Sequence, residues 1–204
     1  LPITVQRTTD HPMSQSTRGK DRRHVLHRLA FVTGRTLTGL EVDQVRALVR
    51  HLGARADVDS ARIGALGHGQ GGMTALYAAA LDERIQLAAV SGYFAARESC
   101  WREPVDRMIY GQLLEFGDAE VAALIAPRRL VLDSAASKEW ERAQRYFERR
   151  NARESLQTVA GSFAEIAGEC ARRLGAQAAA RDFTFPDRMP KVEIEERRNR
   201  HYNG

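Results

Sequence analysis

The stretch "RIGALGHGQGGMTALYAAA", from Arg62 to Ala80, constrains the fold more than any other part of the chain. An apolar run, Ile63 to Leu66, leads straight into Gly67, Gly69, Gly71 and Gly72. Beyond them Met73, Leu76, Tyr77, Ala80 and Leu81 recur at helical spacing. The pattern predicts a strand, a tight turn and a helix. Glycines at such a turn let two backbones approach more closely than any side chain permits. The helix must therefore fold back against its own strand, which commits the chain to an α/β architecture.

Two chemistries use a turn of this kind. The first is dinucleotide binding, because Gly67, Gly69 and Gly72 match G-x-G-x-x-G. That site also needs an acidic residue at the end of the next strand to hold the ribose hydroxyls. Here the next strand, "RIQLAAVSGYF", ends at Ser91 and contains no Asp or Glu. The turn also follows two helices and an earlier strand, which is late for a first βαβ unit. The second chemistry is the nucleophile elbow, G-x-S-x-G, which lifts a serine onto a strained strand-to-helix turn. Gly67, His68, Gly69, Gln70 and Gly71 meet every requirement except the serine, and Gly72 adds room for packing. Glycine reaches the strained angles without steric cost. Gly69 therefore relieves the strain and removes the nucleophile together.

The rest of the chain alternates strands with helices, as a mainly parallel sheet requires. "LPITVQ" reads as a first strand and the polar stretch after it as a loop. Helices are predicted over His24 to Phe31, ended by Gly34, and over Glu41 to Leu52, with Val42, Val45, Leu48, Val49 and Leu52 on one face. The region from Ala95 to Phe116 is irregular and is expected to pack as an insertion over one edge. "GDAEVAALIAP" is a short helix started by Asp118 and closed before Pro127, and "RRLVLDSA" a strand. "SKEWERAQRYFERR" is an amphipathic helix and "SLQTVAG" a weaker strand. "SFAEIAGECARRLG" carries a capping box, Ser162 with Glu165, and stops at Gly175. Its apolar face is Phe163, Ile166, Ala167, Cys170 and Leu174. The expected organisation is one domain over residues 1–176, then a linker and the start of a further charged helical segment over 177–204.

Three segments together resemble a known family. "ARIGALGHGQGGMTALYAAALDERIQLAAVSGYF" is similar to the elbow region of the α/β-hydrolase superfamily, in the branch of dienelactone hydrolases and acetyl xylan esterases. "FGDAEVAALIAPRRLVLDSA" resembles the later stretch leading to that family's acid-bearing strand. "LHRLAFVTGRTLTGLEVDQVRALVRHL" resembles the helical part before the elbow. The resemblance implies a partial α/β-hydrolase fold, a mainly parallel sheet flanked by helices with its N-terminal strands missing. It also implies hydrolysis of carboxylic esters, on a small-molecule or carbohydrate ester, without a cofactor.

Carried over residue by residue, the nucleophile falls on Gly69 and the catalytic acid on Asp133, with Glu139 the nearest alternative. The backbone N–H of Gln70 is one oxyanion donor; the second belongs to an earlier loop that has no counterpart. His68 is a structural flank. No histidine follows "SLQTVAG" where the family places its own, and His201 lies too far on. An acyl-enzyme route through Gly69 is closed. Hydrolysis by another nucleophile and a non-enzymatic ligand-binding or scaffolding role both remain open.

Composition narrows the alternatives. The net charge of +5 comes from scattered arginines without interleaved aromatics, which is a solvated surface rather than a nucleic-acid site. No apolar run approaches the ~20 residues of a membrane span. Cys100 and Cys170 form neither a disulfide framework nor a metal pattern, and His24, His27 and His51 lack ligand spacing. Cys100, Trp101 and Tyr93 are expected in the core. The compartment and the oligomeric state are not encoded in these features.

Overall fold

The computed structural model describes residues 22–133 and 138–175. The strand expected at "LPITVQ", the loop after it, the linker and tail beyond Gly175, and His201 lie outside the described residues. Four strands, β1 (Ile63–His68), β2 (Ile85–Ser91), β3 (Arg129–Leu132) and β4 (Leu156–Thr158), form one sheet in the order β1-β2-β3-β4. Every neighbouring pair is parallel. The expected α/β class is what the chain adopts.

Parallel neighbours need crossover connections, and helices supply them. α3 (Gln70–Leu81) joins β1 to β2, and α6 (Lys138–Arg149) joins β3 to β4. Between β2 and β3 lie two 3-10 turns, the short α4 (Gln112–Glu115) and α5 (Asp118–Ala123). α1 (Arg22–Val32) and α2 (Leu37–Gly53) precede the sheet, and α7 (Phe163–Arg173) follows it.

Alternation along the strands assigns the faces. Ile63, Ala88, Val90, Leu130 and Leu132 join the core built with α2, α3, α5 and α6. Leu87, Ala89 and Val131 point the other way and meet Ile166 and Cys170 of α7. β2 is covered on both sides, so Ile85 and Leu87 to Val90 are at most 1% exposed. That explains its unbroken apolar sequence.

Several boundaries differ from expectation for identifiable reasons. α2 begins at Leu37 rather than Glu41, because the Thr36 hydroxyl accepts the Gly39 N–H at 3.0 Å and caps an earlier turn. α3 is wider in burial than its predicted stripe. Ala75, Ala78 and Ala79 are buried too, while Leu81 is 58% exposed at its end. This helix lies between the sheet and a second layer, so small residues are needed nearly all round it. α5 starts at Asp118 as expected, and Gly117 holds the cap position, its N–H donating to Glu120 at 2.8 Å. The Ser162–Glu165 capping box of α7 forms as expected.

Trp101 is not in the core: it is 68% exposed, with the Arg102 guanidinium 4.8 Å from its ring centroid. The insertion turns it outward, whereas Tyr93 and Ile109 pack against the core. Cys100 is half-buried and Cys170 buried, and both are free. Burial pushes the Cys170 thiol up to about 11.

The insertion is pinned by a buried polar cluster. Asp118 is fully buried, and its Oδ1 accepts the hydroxyls of Tyr77 at 3.1 Å and Tyr93 at 3.0 Å. Gln112 donates to the Tyr77 hydroxyl. Arg97 lies over the Tyr93 ring and pairs with Glu103 at 2.9 Å. Glu139 approaches from α6, accepting the Ala119 N–H. Asp118 Oδ2 has no hydrogen-bond partner among the described residues. Loss of hydration raises the Asp118 carboxyl to about 7, against the opposing pull of Arg97 and the two hydroxyl donors.

A folded pKa above the unfolded one means that the native state holds a proton the unfolded chain has released. The associated stability is present below about pH 4 and disappears as pH rises through about 7. Urea melts of the parent and Asp118→Asn should therefore diverge. From pH 4 to pH 8 the parent is expected to lose stability relative to the variant by on the order of a few kcal/mol.

Candidate functional site

The elbow stands at the carboxyl end of β1. A Cβ on Gly67 would lie 1.9 Å from the Gly71 carbonyl oxygen and 2.6 Å from the Gly72 nitrogen. Strand and helix thus touch backbone to backbone, and only glycine fits at position 67. Gly72 packs against the neighbouring strand, where a Cβ would stand 3.0 Å from the Ser91 carbonyl oxygen. The Gly69 N–H donates to that same carbonyl at 2.8 Å and ties the turn to β2.

Gly69 adopts φ 54° and ψ −121°, a conformation closed to unstrained L side chains. Space is not the obstacle, because nothing lies within 4 Å of where its Cβ would be. The chain therefore keeps the backbone path of an elbow and an open approach to it, without a side chain there. No capping side chain occupies the first turn of α3. The Gln70 side chain points back into the protein, its Nε2 3.4 Å from both Thr38 Oγ1 and Glu41 Oε2.

The parallel register brings other polar groups level with the turn. His68 lies directly opposite Ser91, and the imidazole Nδ1 is 3.0 Å from Ser91 Oγ. His68 is exposed, whereas Ser91 is 5% exposed. The ring lies over Gly92, where a Cβ would come within 2.7 Å of His68 Cε1. Asp133 is one residue past Leu132, which pairs with Val90, so it stands level with Ser91. Its Oδ2 accepts the Gly92 N–H at 2.5 Å. After β4 the position where a histidine was sought carries Ser162 and Phe163, and the Phe163 ring meets His68 edge-on at 6.1 Å.

Gly67, His68, Gly69, Gln70, Gly71, Gly72 and Asp133 thus gather at the carboxyl ends of β1 to β3. Ligand sites of parallel α/β sheets form at these ends. Glu139 is turned elsewhere, buried against α5 and paired with Arg142 at 2.8 Å. The position that would bind ribose in a dinucleotide site holds Ser91, which is engaged with His68. Sequence reasoning missed the His68–Ser91 pair and the Gly92 seat. Its trace is a repeated ending, His-Gly on β1 and Ser-Gly on β2.

Two grooves on the described surface lie away from the elbow. One, of about 560 Å³, is lined by Arg129, Glu154, Ser155, Gln157, Glu169 and Arg173 near the amino ends of β3 and β4. The other, about 150 Å³, adjoins the start of α2. Among the described residues no group of His, Cys, Asp and Glu is placed to hold a metal ion. No helix among them is long and apolar enough to cross a membrane.

No family model and no curated protein matches the chain. Solved structures do. One is a candidate acetyl xylan esterase from Bacteroides fragilis NCTC 9343, similar at 13% identity with a TM-score of 0.59 over 67% of this chain. Another is a methylesterase, similar at 23% identity with a TM-score of 0.45 over 62% of this chain. The chain spans 39% of the length of the first and 31% of the second. The likeness to the first shows a shared fold over the matched part, a parallel sheet flanked by helices.

The turn's geometry separates two kinds of glycine requirement. Gly67→Ala should destabilise by about 3 kcal/mol or more, because backbone would have to move. Gly69→Ala meets no atom and should cost only about 1–3 kcal/mol of backbone strain. Gly71→Ala, with nothing within 4 Å of the added methyl, should be neutral or stabilising by up to about 1 kcal/mol. Urea denaturation of the three variants checks this order.

Proposed function

We propose that the chain is an esterase-like protein of the α/β-hydrolase type that takes a carboxylic ester at the elbow and does not use an acyl-enzyme. The observation that carries this reading is Gly69 itself, held at φ 54° with open space above it. The Gly67–Gly71 approach holds the backbone on this path.

In this reading the backbone N–H of Gln70, at the positive end of α3, donates to the carbonyl oxygen of the ester as that oxygen gains negative charge. Asp133 is the candidate acid, and here it works through the backbone by holding Gly92 beneath the His68 ring. The neighbouring structure of similar fold is named for acetyl xylan esterase chemistry, which supports short acyl esters, including those on carbohydrates, as the substrate class.

The test is covalent trapping. Fluorophosphonate should leave the elbow peptide of the parent unmodified. Gly69→Ser, once shown folded by its thermal melt, should acquire the label at the introduced side chain, located by mass spectrometry. A folded variant that takes no label there would remove the elbow as the site.

A further inference from the structure

With no nucleophilic side chain at position 69, ester hydrolysis at this turn needs water and a base to activate it. We propose that His68 is that base and that Ser91 is its positioning residue. The proposal rests on the esterase reading of the elbow. It assigns the base to β1, next to the turn, instead of to a loop after β4.

Four observations converge on His68. It precedes the open position at Gly69 and is exposed at the carboxyl end of the sheet. Its Nδ1 is engaged by the buried Ser91 hydroxyl at 3.0 Å. Gly92 supplies a flat seat, since any Cβ there would displace the ring. The Phe163 edge closes another side. The Ser91 hydroxyl, the Gly92 backbone and the Phe163 ring thus bound the imidazole on three sides. When Nδ1–H donates to Ser91 Oγ, the proton is absent from Nε2, which then carries a lone pair. The second ring nitrogen has no partner among the described residues. Tautomer control of this kind is what an orienting partner contributes to a general base.

The chemistry balances without further reagents. Nε2 takes a proton from water as the water oxygen forms a bond to the ester carbonyl carbon. The carbonyl π electrons move to its oxygen, which receives the Gln70 N–H. On collapse the bond to the alkoxy oxygen breaks, and the imidazolium returns the proton to that oxygen. The products are a carboxylic acid and an alcohol, and His68 is regenerated. The buried Ser91 positions the ring and does not meet the ester.

The experiment is hydrolysis of 4-methylumbelliferyl acetate by the full chain, with protein-free rates subtracted. His68→Ala should lower kcat/KM by about 100-fold or more. Added imidazole should restore part of the lost rate in His68→Ala and none in the parent. His51→Ala, an exposed histidine on α2, should leave the rate unchanged. Ser91→Ala should lower kcat with little change in KM, and Ser91→Thr, which retains the hydroxyl, should recover most of it. If the parent hydrolyses the ester and His68→Ala keeps its rate, the assignment of the base is wrong and the esterase reading stands. If the parent is inert while Gly69→Ser is labelled, His68 is not a working base although the elbow is intact. If neither occurs, the elbow reading itself fails.

Discussion

The backbone contact between Gly67 and Gly71 is the constraint on which the rest of the structure depends. It brings α3 onto β1 with no side chain between them, and every other feature of the turn follows. The chain can enter the helix so abruptly only through a residue at positive φ, which is Gly69. The same contact directs the first turn of α3 outward at the carboxyl end of the sheet. Gly72 and the Gly69 N–H then dock the turn onto the end of β2, so β1, α3 and β2 are locked as one unit. A sheet edge built in this way is rigid exactly where chemistry would occur, and rigid elements hold functional groups more accurately than loops do.

Around that unit the sheet presents two unlike environments. Beneath the insertion lies a dry polar cluster, with Asp118 between two tyrosine hydroxyls and Arg97 nearby. Such a cluster is costly to bury and is strongly directional once satisfied. It fixes how the insertion sits on α3 and α5. At the strand ends His68 is exposed, Ser91 and Gln70 are buried, and backbone groups supply several of the partners: Gly92 for Asp133, Ser91 for Gly69. The stabilising polar network and the candidate site are thus physically distinct, although Tyr93 and Gly92 are consecutive residues.

Much of this was legible in the sequence, for specific reasons. The glycine spacing predicts the elbow because only glycine tolerates the Gly67–Gly71 distance. The unbroken apolar run of β2 predicts a strand covered on both faces, and the Ser162–Glu165 box predicts the start of α7. What stayed hidden depends on pairing across the chain. The His68–Ser91 contact needs the β1–β2 register, which periodicity within one strand does not contain. Asp118 marks the start of α5 in the sequence, but its burial arises only when Tyr77 and Tyr93 close over it. Trp101 was expected inside by its size, and an irregular insertion gives no period from which to read its direction.

The central claim is that the open end of β1, and no other surface, receives the carboxyl group. Amide chemical-shift mapping during titration with butyrate, the product of a short acyl ester, tests it most directly. The account predicts saturable shifts centred on His68, Gly69, Gln70 and Gly71, spreading to Ser91 and Gly92. Shifts confined to the arginine-lined groove at the amino ends of β3 and β4, with the elbow amides unmoved, would contradict it.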